Sequence, residues 1–469
     1  MIRILLLNVV VCCLAVSMAL AQTDFTLQLD QLITESAAID MFSGNVLVAE
    51  KGKVIYRKSE GYADWEHKIA FNDSSKFNIG SIGKDFTQVV IAQLSQEGKL
   101  EMDDKLSKYL ALFPATISDK ISIRMLLRHE AGLGDYHPAI VHSIADRLQI
   151  ISSQPLLFEP GTDRSYSNSG YVVLAAIIEK ITGLSFDRNV QDRIFNKLNM
   201  RHSIPYYPGM KLENCAKGTN VSPNGKKATE HAVNDGFTPS GDGGQYSTTA
   251  DLLKFYWSLS VDNRLLNDSH RLLFFTDFST KPNFTLSEIL TNEKAEFGFA
   301  GGLPGWNADV ELFPGLNYIV IALSNFSDMD RPAEELCLRI GQVIRGKKYD
   351  KPRIPRFRFA YNQLSSLGAG QFILSANELL EQNGYETIQG PFFYNQLGYT
   401  LLGEKRIDEA LVLFNENTKL FPQNANAFDS LGEAYLLKGD TANAKINYAK
   451  SVALNPDNEQ GRQVLEKLK

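Results

Sequence analysis

The sequence predicts an α/β domain that runs to about residue 348, followed by an all-α domain built from repeats. Three observations carry this. Two β-branched runs flank Lys51-Gly52-Lys53, a helical pattern begins directly after Gly80, and residues 391–424 return at a spacing of 34 as residues 425–458. With 469 residues and 44% hydrophobic content, the chain has room for a large core and a second domain.

At the N-terminus, Arg3 precedes an apolar run from Ile4 to Leu20 that closes on Ala19-Leu20-Ala21. A basic start, an apolar middle and a small-x-small end describe a secretory signal cut before Gln22, and the run is short for a spanning helix. The expectation is a secreted or periplasmic protein with no membrane span after cleavage. Cys12 and Cys13 leave with the signal, and the mature chain keeps Cys215 and Cys337. These two could bridge in an exported protein but are too few to form a disulfide scaffold. A net charge of −6 without basic runs argues against a nucleic-acid partner.

From Asn45 to Lys58 the two β-branched runs read as a hairpin. Next comes Phe77-Asn-Ile-Gly-Ser-Ile-Gly-Lys-Asp-Phe-Thr87, which holds the only Ser-x-x-Lys of the sequence. Phe86, Val89, Val90, Gln93 and Leu94 recur at i, i+3, i+4 and predict a helix that buries one face. Ser81 then stands at the helix start and Lys84 one turn on, on the same side and within reach of the hydroxyl. A serine hydroxyl becomes a nucleophile when a neighbour takes its proton, and a partly desolvated lysine is suited to help. Taken alone, the pair is also what an ordinary helix cap and a solvated lysine would give.

The texture stays mostly helical to about residue 200. Met125 to Leu133 runs a buried helix end into a glycine turn. His129, His137 and His142 lack the compact spacing of metal ligands, so His129 reads as a structural or loop histidine. Tyr166-Ser167-Asn168 follows the turn at Phe158-Glu-Pro-Gly161 and opens a helical run from Val172 to Ile181. A phenol beside an ammonium releases its proton more readily and can act as a general base. The Asn168 amide can orient both Lys84 and a substrate.

The order of these motifs resembles the serine β-lactamase and penicillin-binding superfamily, especially its class C and D,D-peptidase-like branch. The matching stretches are Phe77-x-x-x-Ser81-x-x-Lys84, Leu126-Leu127-x-His129-x-x-Gly132-Leu133 and Phe158-x-Pro160-Gly161 with Tyr166-Ser167-Asn168-x-Gly170-Tyr171. Gly243-Gly244-x-x-Ser247-Thr248-x-x-Asp251, Gly301-Gly302-x-Pro304-Gly305 and the strand from Tyr318 to Asn325 complete the series, over roughly residues 30 to 345. The resemblance implies a β-lactamase/transpeptidase-like fold, an antiparallel sheet flanked by helices with a helical lobe between. The hairpin would pair in one sheet with strands near 308–313 and 318–324. It also implies Ser81 as the nucleophile of an acyl-enzyme, Lys84 and Tyr166 as proton carriers, and the backbone N–H groups of Ser81 and Gly302 as the oxyanion hole. The sequence contains no Gly-x-Ser-x-Gly elbow of the α/β-hydrolase kind. One departure stands out. Where the family has Lys-Thr-Gly or His-x-Gly, this chain has Phe299-Ala300-Gly301, so the cation is missing.

Pro352 and Pro355 mark a linker over 349–356 after a hydrolase domain of residues 22–348. In the repeats, Tyr394/Phe428, Leu397/Leu431, Gly398/Gly432, Leu401/Tyr435, Ala410/Ala444, Phe414/Tyr448 and Pro422/Pro456 align. The pattern is similar to tetratricopeptide repeats, whose paired helices stack small residues against large ones. Residues 357–390 read as a degraded repeat, with Ala376 and Leu380 at repeat positions, and Arg462 to Lys469 as a cap. The 357–469 domain is either a stabilising appendage or a groove for a peptide or protein partner. The expected function is an exported serine hydrolase with no metal or organic cofactor, acting on ester, amide or β-lactam-like substrates. The alternative is a non-catalytic binding member of the superfamily.

Overall fold

The computed structural model describes residues 23–135, 143–207, 209–230, 238–276, 285–326 and 331–468. The expected signal segment, His137 and His142 lie outside them. Two compact units emerge: one runs to Asn220 and resumes from Ala228 to Pro352, and the other takes Val221–Lys227 and the chain from Arg353 onward.

The first unit is organised by a five-stranded antiparallel sheet. The expected hairpin forms from β1 (Gly44–Glu50) and β2 (Lys53–Glu60), and its two-residue turn has Lys51 at φ 51° and Gly52 at φ 73°. Two successive positive φ values match the right-handed strand twist, which is why Gly52 suits the second place. Two further short strands, β3 (Phe77–Asn78) and β4 (Ile204–Pro205), flank β5 (Gln245–Ser247) in a separate three-stranded sheet. The main sheet is completed by β6 (Phe297–Leu303), β7 (Trp306–Phe313) and β8 (Tyr318–Ser324), in the order β6-β7-β8-β1-β2. β1 pairs with β8 from Gly44 opposite Ser324 to Glu50 opposite Tyr318.

Side chains alternate across this sheet. Leu47, Ala49, Trp306, Ala308, Val310, Leu312, Ile319, Ile321 and Leu323 enter the main core. Val46, Val48, Val320 and Ala322 enter a second core with Leu29, Leu32 and Ile33 of the leading helical segment (residues 23–38) and Leu336, Cys337 and Ile340. Both sheet faces are therefore covered. Cys337 is buried there, and Cys215 and Cys337 are both free thiols.

Helices on the main-core side are α1 (Gly83–Gln96), α2 (Ile123–Leu127), α3 (Ile144–Ser153), α4 (Asn168–Thr182), α5 (Thr249–Ser260) and α6 (Asp268–Thr276), with α7 (Pro332–Ile344) on the other face. The expectation that α1 buries one face is corrected: every residue from Gly83 to Leu94 is buried. Phe86 packs edge-on to Phe195 and Phe255, 5.1 and 4.8 Å away by ring centroid. Two polar residues between the apolar ones find internal partners, Thr87 donating to the Gly241 carbonyl at 2.7 Å and Gln88 to the Tyr171 hydroxyl at 2.7 Å. Among the described residues no single helix is long and apolar enough to cross a membrane.

The second unit is all helical in its larger segment. Its helices are α8 (Arg356–Leu367), α9 (Ala369–Gln382), α10 (Phe392–Gly403), α11 (Ile407–Leu420), α12 (Ala425–Lys438), α13 (Thr441–Leu454) and α14 (Glu459–Lys467). Each repeat pairs a glycine with an aromatic ring. A Cβ added to Gly398 would stand 2.5 Å from Phe414, and one on Gly432 would stand 3.0 Å from Tyr448. In the degraded first pair the corresponding positions are Leu364 and Leu380, both buried, so two middle-sized side chains replace a small and a large one. Ala376, Ala410 and Ala444 recur at the third position, and all are buried.

Candidate active site

The chain enters the site through a tight turn. Gly80, at φ 51°, sits between β3 and a 3-10 turn over Gly80–Ile82 that leads directly into α1. Asn78 holds it by accepting the Gly80 N–H at 3.0 Å. Other glycine backbones close around the same turn. A Cβ on Gly80 would lie 2.7 Å from the Gly302 nitrogen, one on Gly301 would lie 2.0 Å from the Ile79 oxygen and 2.8 Å from the Ser81 nitrogen, and one on Gly243 would lie 2.5 Å from the Gly80 oxygen. Only residues without a side chain let these three segments approach. The approach brings the N–H-bearing backbones of Ser81 and Gly302 side by side.

Ser81 Oγ lies 2.7 Å from the Tyr166 hydroxyl, and Lys84 Nζ donates to Ser81 Oγ at 3.1 Å. Lys84 is 4% exposed, and its remaining donors go to Asn168 Oδ1 at 2.7 Å and the Asp242 carbonyl at 2.5 Å. Nζ also lies 5.0 Å from the Tyr166 ring centroid and 5.6 Å from that of Tyr171, both favourable for a cation. An ammonium has three N–H donors, and three oxygens face this one. The structure thus joins Ser81, Lys84, Tyr166 and Asn168 in one hydrogen-bonded cluster, with Lys84 and Asn168 84 residues apart.

Tyr166 is 54% exposed, so its ring is held from behind by His129, whose centroid is 4.7 Å away. His129 adopts φ 61°, accepts the Ser167 N–H on Nδ1 at 3.1 Å and accepts the Ser165 N–H on its carbonyl at 3.1 Å. It is the structural histidine that its spacing suggested. Burial, then the charges of Lys84 and Arg164, pull its pKa down to about 4, which keeps the imidazole neutral and Nδ1 free to accept.

Phe299 stands on the same face of β6 as Gly301, two residues away. Its ring is half-buried, 5.0 Å from Tyr256 and stacked 5.3 Å from Phe274. Tyr256 in turn donates to Asp85 at 2.5 Å. Complete burial pushes the Asp85 carboxyl up to about 7, against the pull of the Tyr256 hydrogen bond and the Lys84 charge. In place of the cation that the family resemblance implies, this chain has an aromatic cluster backed by a buried acid.

Three supporting residues escaped the sequence reading. Asp242 offers Lys84 its carbonyl, while its carboxylate takes a hydrogen bond from Ser240 and lies 3.5 Å from Arg147, a guanidinium 1% exposed. Asp135 accepts from Asn168. The Gly-Asp-Gly-Gly run at 241–244 was a usable signal for the first. Nothing in the pattern marked Arg147 or Asp135. Outside this region Asp64, Glu66 and His67 bring ligand atoms within 4.8 Å of one another, but Asp64 is paired with Lys217 at 2.7 Å and His67 at 2.9 Å.

The sequence profile described as Beta-lactamase matches residues 29–341, and that of a Tetratricopeptide repeat matches residues 425–458. The chain is 30% identical over 353 residues to Penicillin-binding protein 4* of Bacillus subtilis (strain 168), an alignment covering 67% of this chain and 75% of the relative. Among solved structures, a penicillin-binding protein from Bacillus halodurans superposes with a TM-score of 0.56 at 24% identity, covering 63% of this chain and 94% of the other. EstCE1, described as a hydrolase with promiscuous acyltransferase activity, gives 0.58 at 18% identity, covering 69% and 99%.

Proposed function

The chain belongs to the β-lactamase family of serine hydrolases, and from that premise we propose that it is an exported hydrolase that works through an acyl-Ser81 intermediate. The observation that carries the reading is Ser81 Oγ held at once by the Tyr166 hydroxyl at 2.7 Å and Lys84 Nζ at 3.1 Å. In the proposed sequence Ser81 Oγ attacks the substrate carbonyl carbon while its proton passes to the Tyr166 oxygen, which acts as general base in its deprotonated form, and Lys84 Nζ holds Ser81 Oγ in place by donating to it. The tetrahedral oxyanion is held by the backbone N–H groups of Ser81 and Gly302. The carbonyl re-forms as the bond to the leaving group breaks, and the leaving oxygen or nitrogen takes the proton from Tyr166. Water then gives a proton to Tyr166, attacks the acyl carbon and releases the acid, and Ser81 recovers its proton.

The substrates are esters, amides or β-lactam-like carbonyl compounds, with uncharged esters favoured by the apolar surroundings of Phe299. The apolar start of the chain supports export to the periplasm or the outside. The helical pairs of the second unit support a role in holding a peptide or protein partner. The rival reading is a non-catalytic ligand binder, and the missing cation at Phe299 is what favours it.

One experiment separates the two. The purified mature chain is exposed to a fluorophosphonate and, separately, to a penicillin, and intact mass is read. Covalent labelling at Ser81, abolished together with turnover by Ser81→Ala, is the expected result. Wild-type ester hydrolysis by Ser81→Ala would sink the acyl-serine mechanism, and ligand binding with no adduct would favour the rival.

A further inference from the structure

The side-chain amide of Asn168 has an accepting end and a donating end, and Lys84 can use only the first. A lysine nitrogen as ammonium donates and never accepts, so a half-turn of the amide would set two donors face to face. The terminal torsion of asparagine is broad and roughly two-fold, so rotamer preference does not choose between the two orientations. A third group must choose.

We propose that Asp135 is that group, a positioning residue that fixes the Asn168 amide and thereby holds Lys84 against Ser81. The inference rests on the acyl-serine reading above. Asp135 Oδ2 accepts the Asn168 side-chain N–H at 3.1 Å, while Oδ1 accepts the backbone N–H of Asn168 at 2.6 Å and of Ser169 at 3.4 Å. A carboxylate accepts only, so it commits Asn168 Nδ2 to itself and turns Asn168 Oδ1 toward Lys84, whose Nζ donates to it at 2.7 Å. Hydrogen bonds from the Asn168 backbone, the Asn168 side chain and the Ser169 backbone leave Asn168 little freedom. The α4 start has its own cap, because Ser167 Oγ accepts the Gly170 N–H at 3.2 Å. Asp135 is exposed, so it fills no core. The chain of contacts runs carboxylate, amide, ammonium, hydroxyl.

A helix-capping role and a positioning role make different predictions. In Asp135→Asn an oxygen remains to accept the backbone N–H groups, so capping persists. The new amide nitrogen, however, faces Asn168 Nδ2 and favours the flipped orientation, which turns a donor on Lys84. Adding Asn168→Asp exchanges the partners: the amide at 135 donates to the carboxylate at 168, which still accepts from Lys84.

The test compares wild type, Asp135→Asn and the double exchange by the rate of fluorophosphonate labelling at Ser81, by kcat and KM on p-nitrophenyl acetate, and by melting. Asp135→Asn is expected to slow labelling and lower kcat roughly ten- to a hundredfold, because small misplacements of a reacting group are costly, with KM little changed. The exchange should recover about fivefold or more of that loss, a coupling that two independent sites would not show. Wild-type labelling by a folded Asp135→Asn overturns the proposal, as does an exchange no faster than the single variant. If Asp135→Asn does not melt cooperatively, Asp135→Ser takes its place, with the same loss expected and wild-type labelling again overturning the role. A wild type that never labels removes the acyl-serine reading and this inference with it. A wild type that labels beside an indifferent Asp135→Asn removes only the positioning role.

Discussion

Phe299 stands where the family resemblance implies a cation. A lysine or histidine there would offer a substrate carboxylate a charged hydrogen bond, worth on the order of 1.5–3 kcal/mol. Phenylalanine offers none, and its ring is committed to Tyr256 and Phe274. Penicillins and peptides ending in a free carboxylate should therefore lose roughly ten- to a hundredfold in transition-state binding, since about 1.4 kcal/mol is tenfold. Hydrolysis of p-nitrophenyl acetate or butyrate is expected to exceed that of nitrocefin in kcat/KM, and Phe299→His should narrow the gap. Efficient nitrocefin turnover, unchanged in Phe299→His, would show that another residue supplies the cation. The variant should also melt lower, because an aromatic contact of this kind contributes about 0.5–1.5 kcal/mol. At this scale the sequence was legible where chemistry demands a particular functional group: Ser81, Lys84, Tyr166 and Asn168 were candidates by type and spacing, and the order of the surrounding motifs, through the family it resembles, singled them out. Asp135 and Arg147 could not, because they act through where other residues are held, and an aspartate two residues after a glycine turn looks like any loop residue.

Elements were legible in proportion to how local their causes are. The β1–β2 hairpin follows from two β-branched runs and a turn that accepts positive φ, and it forms as read. The burial of α1 on all sides does not follow from its own pattern. Thr87 and Gln88 look like a solvent face until Gly241 and Tyr171 arrive from elsewhere to accept from them. The approach of β6 to the Gly80 turn is the element-scale feature most open to test. Gly301→Ala would set a methyl group 2.0 Å from the Ile79 oxygen, against backbone that has nowhere flexible to go. β6 should shift outward and carry the Gly302 N–H from its place. Removal of one oxyanion donor costs about a hundred- to a thousandfold in kcat, and a fall of that order is expected for p-nitrophenyl acetate while circular dichroism stays close to wild type. A Gly301→Ala enzyme with wild-type kcat would mean that the Gly302 N–H takes no part.

For the whole molecule, the repeats announced themselves by period, and Gly398/Phe414 with Gly432/Tyr448 explain why the period is visible at all. The degraded pair was harder to read because Leu364 and Leu380 preserve volume while erasing the small–large signature. Truncation after residue 352 should leave a folded hydrolase unit that keeps its activity on small esters, because every group of the proposed site lies in the first unit. Asn224, which belongs to the second unit, would lose Glu404, to which it donates at 2.7 Å, so some stability should go with the cut. Complete loss of turnover in a truncated form that still melts cooperatively would place part of the site beyond residue 352. The sheet itself was the least legible part from periodicity, since β1 finds its partner in β8: Ser43 donates to Asn325 across a separation of 282 residues at 2.8 Å. That pairing sets a clock. A chain made at about 5–20 residues per second leaves one edge of β1 without its neighbour for roughly a quarter of a minute to a minute. Until Tyr318–Ser324 has emerged, the growing chain carries an apolar strand with a bare edge, a template for pairing with other chains. Whatever guards that edge during synthesis matters as much to the yield of this protein as any contact in its finished core.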